Sequence, residues 1–423
     1  MMKFAIESVS KCCSARLGSL STKNAFSNVT LPTPGLVLHT KGGSVPYLSK
    51  EVLHYLTTEP QVMLYSLTNT DHMEEAVRAC GDGIASFVGQ KESISMLVLT
   101  DPAELCKPNF HEKDLVPIFS RSGRKNFTSE RYMQLVEAFK PDIYVPLFDG
   151  DTDSESSKKR LQKSLDRTEK FIEQCLEVHR KSESLKQSGL IGPVMGGFDL
   201  KLRMKATEFL NQFKNDFSGY LIAGLHSNGL SATELNECSL LEVVAQVCPQ
   251  LPAEKTRFML GAFSPLIILR LVALGVDVFD TSYPYLKSQQ NRALVFSYDI
   301  TEEDVENREI ELDMKDPRWA EDFTGFNKSC TCLACAKHTK AYTHHLYNTH
   351  EMLGPILLML HNIHHYFEFF KAIRKHVHED NIEELIDHLK KQKDSAPFDE
   401  KTGMAKSDLI SSEDNVTKKL KIS

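Results

Sequence analysis

Three cysteines fall within six residues, Cys330-Thr331-Cys332-Leu333-Ala334-Cys335, and His361-Asn362 follows after 25 more. Thiolates this close suit a tetrahedral soft-ligand site. A CxCxxC turn brings three sulfurs to one point, and a histidine from a later helix can close the fourth corner. The pattern points to a zinc ion held by Cys330, Cys332, Cys335 and one histidine. His338, His344, His345, His350, His364 and His365 compete with His361 for that place. The bland alternative is three unligated thiols, which an intracellular protein does not normally cluster. Four protein ligands leave no position for water, so a structural role is expected rather than metal-activated hydrolysis.

Carboxylates offer the second chemistry. Asp101, Asp149 and Asp280 each follow a short apolar run. Paired carboxylates can act as nucleophile and general acid/base in glycosyl transfer. An aspartate at a strand end also caps the next turn or helix, and for any single one of the three that is the stronger reading.

The elements that must position these groups alternate. Eight apolar runs recur: 35–40, 62–68, 96–101, 142–149, 191–197, 219–225, 257–261 and 276–280. Helical patterns lie between most of them. One starts at Ser129-Glu130, and a long charged one spans 156–185. Ser231-Ala-Thr-Glu234 has capping-box spacing ahead of Leu240-Leu241. Ser264-Pro265 opens another, ended by Gly275. Strands alternating with helices predict an α/β fold, a (β/α)8 TIM barrel whose chemistry sits at the carboxyl ends of its strands. An open doubly wound sheet is the alternative. No GxGxxG or Walker-type loop follows any strand, which counts against its nucleotide-binding versions.

After the eighth run the pattern changes. Residues 293–298 and 309–313 read as strands of a small sheet. The cysteine cluster follows, and then a helix with Pro355 in its first turn. Its apolar stripe is Ile356, Leu360, Ile363, Phe367, Phe370 and Ile373, flanked by His361. An acidic helix spans about 381–391. The expected division is a barrel with an N-terminal hairpin over 1–290, a C-terminal zinc-binding subdomain with its helices over 291–391, and a disordered tail over 392–423.

Composition is that of an ordinary soluble domain set: 423 residues, 41% apolar, net charge −7. Bulk charge gives no sign of independent nucleic-acid binding. No apolar run nears the ~20 residues a bilayer span requires. Ten cysteines in a chain this long do not read as a secreted disulfide framework, and with the metal-type cluster they argue for a reducing compartment. Lys3, Lys11, Arg16 and several serines loosely suggest a transit peptide, but Phe4-Ala5-Ile6-Glu7 alternates like a strand and no apolar signal core is present.

These motifs together resemble the queuine tRNA-ribosyltransferases, or tRNA-guanine transglycosylases, over nearly the whole chain to about residue 378. Ala15-Arg-Leu-Gly-Ser-Leu20 is similar to the family's N-terminal hairpin. Gly261-Ala-Phe-Ser-Pro265 with Gly275-Val-Asp-Val-Phe-Asp280 resembles its most recognisable segment. Glu321-Asp-Phe323, the cysteine cluster, Ala341-Tyr342 and His344-His-Leu346 look like its zinc subdomain, and His361 matches the histidine ligand. The resemblance implies a barrel with a zinc subdomain that exchanges guanine in tRNA for a modified base. In catalytic members an aspartate at the Asp280 position attacks the ribose, one at Asp101 is the acid/base, and one at Asp149 holds the incoming base.

The surroundings depart from that pattern. The family's Asp-Ser-Gly-Gly is Asp101-Pro-Ala-Glu104 here, and a base-binding Gln is Met195. The loop after the sixth strand reads Ala223-Gly-Leu-His-Ser-Asn-Gly229, and the family's Pro-Thr-Arg is Pro284-Tyr285-Leu286. A pocket that reads a purine edge depends on its full set of polar partners, so these losses imply a large drop in rate or affinity. The pattern resembles the family's eukaryotic accessory, non-catalytic branch. That implies a heterodimer with a catalytic subunit, tRNA bound through the complex, and a cytoplasmic setting, free or on the mitochondrial outer membrane. Asp101, Asp149 and Asp280 are then vestigial. The rival reading is an active transglycosylase with Asp280 as nucleophile.

Overall fold

The computed structural model describes residues 2–24, 26–57, 61–106, 114–302 and 308–395. Eight parallel strands close into a barrel: β1 Gly35–His39, β2 Val62–Ser66, β3 Ile94–Val98, β4 Ile143–Tyr144, β5 Gly189–Val194, β6 Phe217–Ile222, β7 Thr256–Phe258 and β8 Val278–Asp280. They neighbour each other in chain order, and β8 pairs with β1 through Phe279↔Leu36 to complete the circle. All eight expected runs are barrel strands. Most of the runs continue past the paired residues into the loop at the carboxyl end, whereas the eighth begins two residues ahead of its strand; for β4 only two residues pair.

Strand residues alternate between two cores, as the two-residue pleat requires. Val37, Leu64, Met96, Ile143, Ile191, Leu221, Phe258 and Val278 fill the barrel interior. Their neighbours Leu36, Leu38, Met63, Tyr65 and Leu97 face the outer helices. Those helices start as their sequences dictate. Thr128 caps Ser129–Phe139, and Ser157 caps the long Lys158–Lys181. Pro265 opens Pro265–Ala273, and Gly275 at φ +91° turns the chain into β8. The expected capping box at Ser231 does not form. Residues Gly229–Thr233 make a 3-10 turn in which Ser231 Oγ donates to the Asn228 carbonyl, and Asn236 caps the helix Glu237–Val247 instead. A local hydroxyl-to-carbonyl bond outcompeted the cap.

An antiparallel three-stranded sheet, Lys3–Val9, Arg16–Lys23 and Asn28–Thr33, lies at the amino end of the barrel. Its Met2, Leu20, Val29 and Leu31 join the interior core and seal that end. Arg16 reaches Asp277 with two guanidinium nitrogens and also donates to the carbonyls of Ala253 (2.6 Å) and Lys255 (3.1 Å). Beyond β8, Arg292–Leu294 and Glu311–Asp313 form a two-stranded sheet. The helix Leu353–His378 packs beside it, and Ile382–Ser395 covers the outer barrel helix Pro265–Ala273. Ile356 is only half-buried; burial instead spreads around the long helix, from Leu357 to Val377. The last helix runs through Ser395 with Gln392 buried, past the expected limit at 391, and 396–423 lie outside the described residues. No described helix is long and apolar enough to cross a membrane.

Candidate functional site

The cysteine cluster forms a closed donor set. Cys332 heads the short helix Leu333–Lys337, its sulfur accepting from the Cys335 N–H at 3.4 Å. His361 lies in the third turn of the long helix, fully buried, with Nε2 on the Leu294 carbonyl at 2.8 Å. That bond leaves Nδ1 facing the sulfurs: 3.6 Å from Cys330 Sγ, 3.6 Å from Cys332 Sγ and 3.4 Å from Cys335 Sγ. A tetrahedral ion with bonds of about 2.3 Å to sulfur and about 2.1 Å to nitrogen would space those atoms about 3.6 Å apart. All four ligand atoms lie within 4.8 Å of one another, so Cys330, Cys332, Cys335 and His361 could hold a metal ion. Burial alone would lower the His361 pKa, but the Cys330 and Cys335 sulfurs outweigh it and raise the value to about 10. The clustered sulfurs call for positive charge, and a cation supplies it with loss of that proton.

Asn362, the next residue, ties this centre to the small sheet. It accepts from the Leu294 N–H (2.8 Å) and donates to Ser288 Oγ and the Arg292 carbonyl, both at 2.8 Å. Thiol and histidine spacing does not point to Asn362. An amide on the buried face of an otherwise apolar helix was the signal for its role, since such a group needs partners.

The three aspartates stand at the carboxyl ends of β3, β4 and β8, as expected, but each is already occupied. Asp101 Oδ1 meets His39 Nε2 (2.8 Å) and the Ala103 N–H (2.8 Å), and Oδ2 accepts from Asn69 (2.5 Å). Burial would raise its pKa, yet His39 and these hydrogen bonds hold it below the usual carboxylate value. Asp149 is completely buried. Arg160 grips it with two nitrogens, at 2.9 and 2.5 Å, and Arg167 adds a third contact at 3.1 Å. Asp280 accepts from the Gly261 N–H (2.5 Å) on one oxygen and the Ser282 N–H (2.6 Å) on the other. Burial pushes its pKa up to about 6 against those bonds. His39, Arg160 and Arg167 were not singled out from the sequence.

A cavity opens at the same end of the barrel, lined by Thr100, Cys106, Asp151, His226, Asn228 and Leu260 among others. None of the three aspartates lines it. Met195, fully buried, packs so closely on Gly224 that a Cβ there would sit 2.5 Å from its Cε. His226 Nε2–H donates to the Leu260 carbonyl at 3.1 Å and Nδ1 accepts from the Asn228 N–H at 3.1 Å; burial lowers its pKa to about 4. With that proton count the ring is neutral near pH 7. Lys41 pairs with Glu104 at 2.5 Å and lies over Tyr285, whose ring packs tilted against His39 with centroids 4.9 Å apart.

Comparison with known proteins agrees with this geometry. The model of the queuine tRNA-ribosyltransferase family matches residues 11–395. A protein of Aedes aegypti named queuine tRNA-ribosyltransferase accessory subunit 2 is 72% identical over 422 residues, all of both chains. Its Culex quinquefasciatus namesake is 66% identical over 92% of this chain and 91% of its own length. The Drosophila mojavensis namesake is 43% identical over 92% of each. The match spans the barrel and the four metal-type ligands alike, and the chain belongs to the queuine tRNA-ribosyltransferase family.

Proposed function

We propose that this chain is the non-catalytic accessory subunit of a queuine tRNA-ribosyltransferase complex. It pairs with a catalytic paralogue, and together they exchange guanine for queuine at the tRNA wobble position. The observation that carries the reading is Asp149. The carboxylate that should hold an incoming base is buried against Arg160 and Arg167 and does not line the cavity, although its neighbours Phe148 and Gly150 do. Asp101 and Asp280 are likewise spent on internal partners, and a transferase needs its constellation free and assembled. The names of the relatives point the same way.

The ion is zinc, bound by Cys330, Cys332, Cys335 and His361 in a structural role. The donor set is the soft, closed one that zinc favours. Phe323, Leu333, Tyr342, Met352 and Leu353 stand exposed on the segments around that centre. Apolar side chains concentrated in this way suit a partner surface, and the catalytic subunit is its occupant in this reading.

The test is base exchange into tRNA with labelled queuine or guanine, using the chain alone and mixed with its catalytic paralogue. Activity only in the mixture, surviving Asp280→Asn in this chain, supports the accessory role. Exchange by the chain alone, abolished by Asp280→Asn, overturns it.

A further inference from the structure

His364 lies one helical turn beyond His361 and presents its own Nδ1 to the metal centre, 3.7 Å from Cys330 Sγ. It differs from His361 in two ways. His361 reaches all three sulfurs at 3.4–3.6 Å, whereas the recorded sulfur contact of His364 is to Cys330. His364 also falls outside the set of four mutually close donor atoms, and its ring is half-exposed where His361 is buried. The charge of the centre gives that position a use. Three thiolates on a divalent ion leave one excess negative charge, and it resides on the sulfurs. Cys332 has its share met by the Cys335 N–H. Cys330 is met from the helix side by His364.

We infer that His364 Nδ1–H donates a hydrogen bond to the Cys330 thiolate, and that this positioning residue sets how tightly the centre holds its ion. The inference rests on the zinc reading above. Polar groups that orient or hydrogen-bond metal ligands govern affinity even though they never touch the metal. A half-exposed side chain is well placed for the task, because it can be exchanged without opening a cavity in the core.

The full chain is purified with its metal, and zinc transfer to a chromophoric chelator is followed for wild type, His364→Phe and His364→Asn. Phenylalanine keeps a ring and removes the donor; asparagine restores an N–H. The expected result is one ion per chain in all three. Affinity should fall about 10–100-fold in His364→Phe and recover substantially in His364→Asn. Mapping of alkylated peptides should show Cys330 modified ahead of Cys332 and Cys335 in His364→Phe. Equal affinity in wild type and His364→Phe overturns the inference and leaves the zinc reading intact. Loss of the ion in His364→Phe with retention in His361→Ala also overturns it, and with it the place of His361 in the ligand set, since His364 would then be the ligand. A wild-type chain that binds no stoichiometric zinc overturns both.

Discussion

Arg160 decides what Asp149 can do. A buried carboxylate is tolerated only when paired, and the guanidinium fork satisfies both oxygens at once. Replacing Arg160 with alanine should therefore cost stability, about 2–3 kcal/mol in urea unfolding. This lies below the usual range for breaking a buried pair because Arg167 stays in place. An unchanged unfolding midpoint would mean that the pair contributes nothing. Asp280 makes a prediction in pH. Its folded-state pKa of about 6 lies above the unfolded value, so its protonated form favours the fold. The contribution is present below about pH 4, declines as pH rises to about 6, and is lost above that. The stability difference between wild type and Asp280→Asn should slope across that window and flatten above it, as measured by denaturant unfolding at several pH values. A flat difference would place the Asp280 pKa near the ordinary range. The three aspartates were readable from sequence because strand ends are. Their occupants were not, because Arg160 reaches Asp149 only through the rotation of its helix, and His39 comes from a different strand.

At the scale of elements, the metal-type cluster depends on how closely the Gly325 loop approaches the short helix Leu333–Lys337. Gly325 lies against Cys335: a Cβ at that position would sit 2.9 Å from the Cys335 carbonyl oxygen and 3.2 Å from its Cα. Gly325→Ala should push the Cys335 backbone outward, costing about 1–3 kcal/mol and weakening zinc retention in a chelator competition. Wild-type retention in that variant would show that the loop gives way freely. The helix starts expected at Ser129, at about 156 and at Pro265 hold to within two residues, with Thr128 and Ser157 supplying the caps of the first two and the fixed φ of proline starting the third. The expected capping box failed at Ser231, where the nearer Asn228 carbonyl captured the hydroxyl. The long helix was expected to carry a single apolar stripe. It is buried over much of its circumference because the small sheet, the metal loop and the barrel all pack on it.

For the molecule as a whole, the amino-terminal sheet belongs to the barrel energetically. Arg16 crosses from that sheet to Asp277 beside β8, and burial raises the Asp277 pKa while Arg16 opposes the rise. Arg16→Met should leave Asp277 buried and unpaired and destabilise the chain by about 3–5 kcal/mol, seen as a lower Tm for the whole barrel. Loss confined to the amino-terminal sheet would argue that it docks without supporting the barrel. By itself the sequence determined the number and order of the barrel strands and the donor types of the Cys330, Cys332, Cys335 and histidine cluster. Each depends on local patterns: the period of apolar residues and the spacing of thiols. Tertiary structure alone decided which histidine reaches all three sulfurs, what grips each aspartate, and that the cavity is lined by the neighbours of Asp101 and Asp149 rather than by those carboxylates. Those outcomes depend on distances between residues far apart in the chain, set by how the barrel closes and how the helices rotate against it.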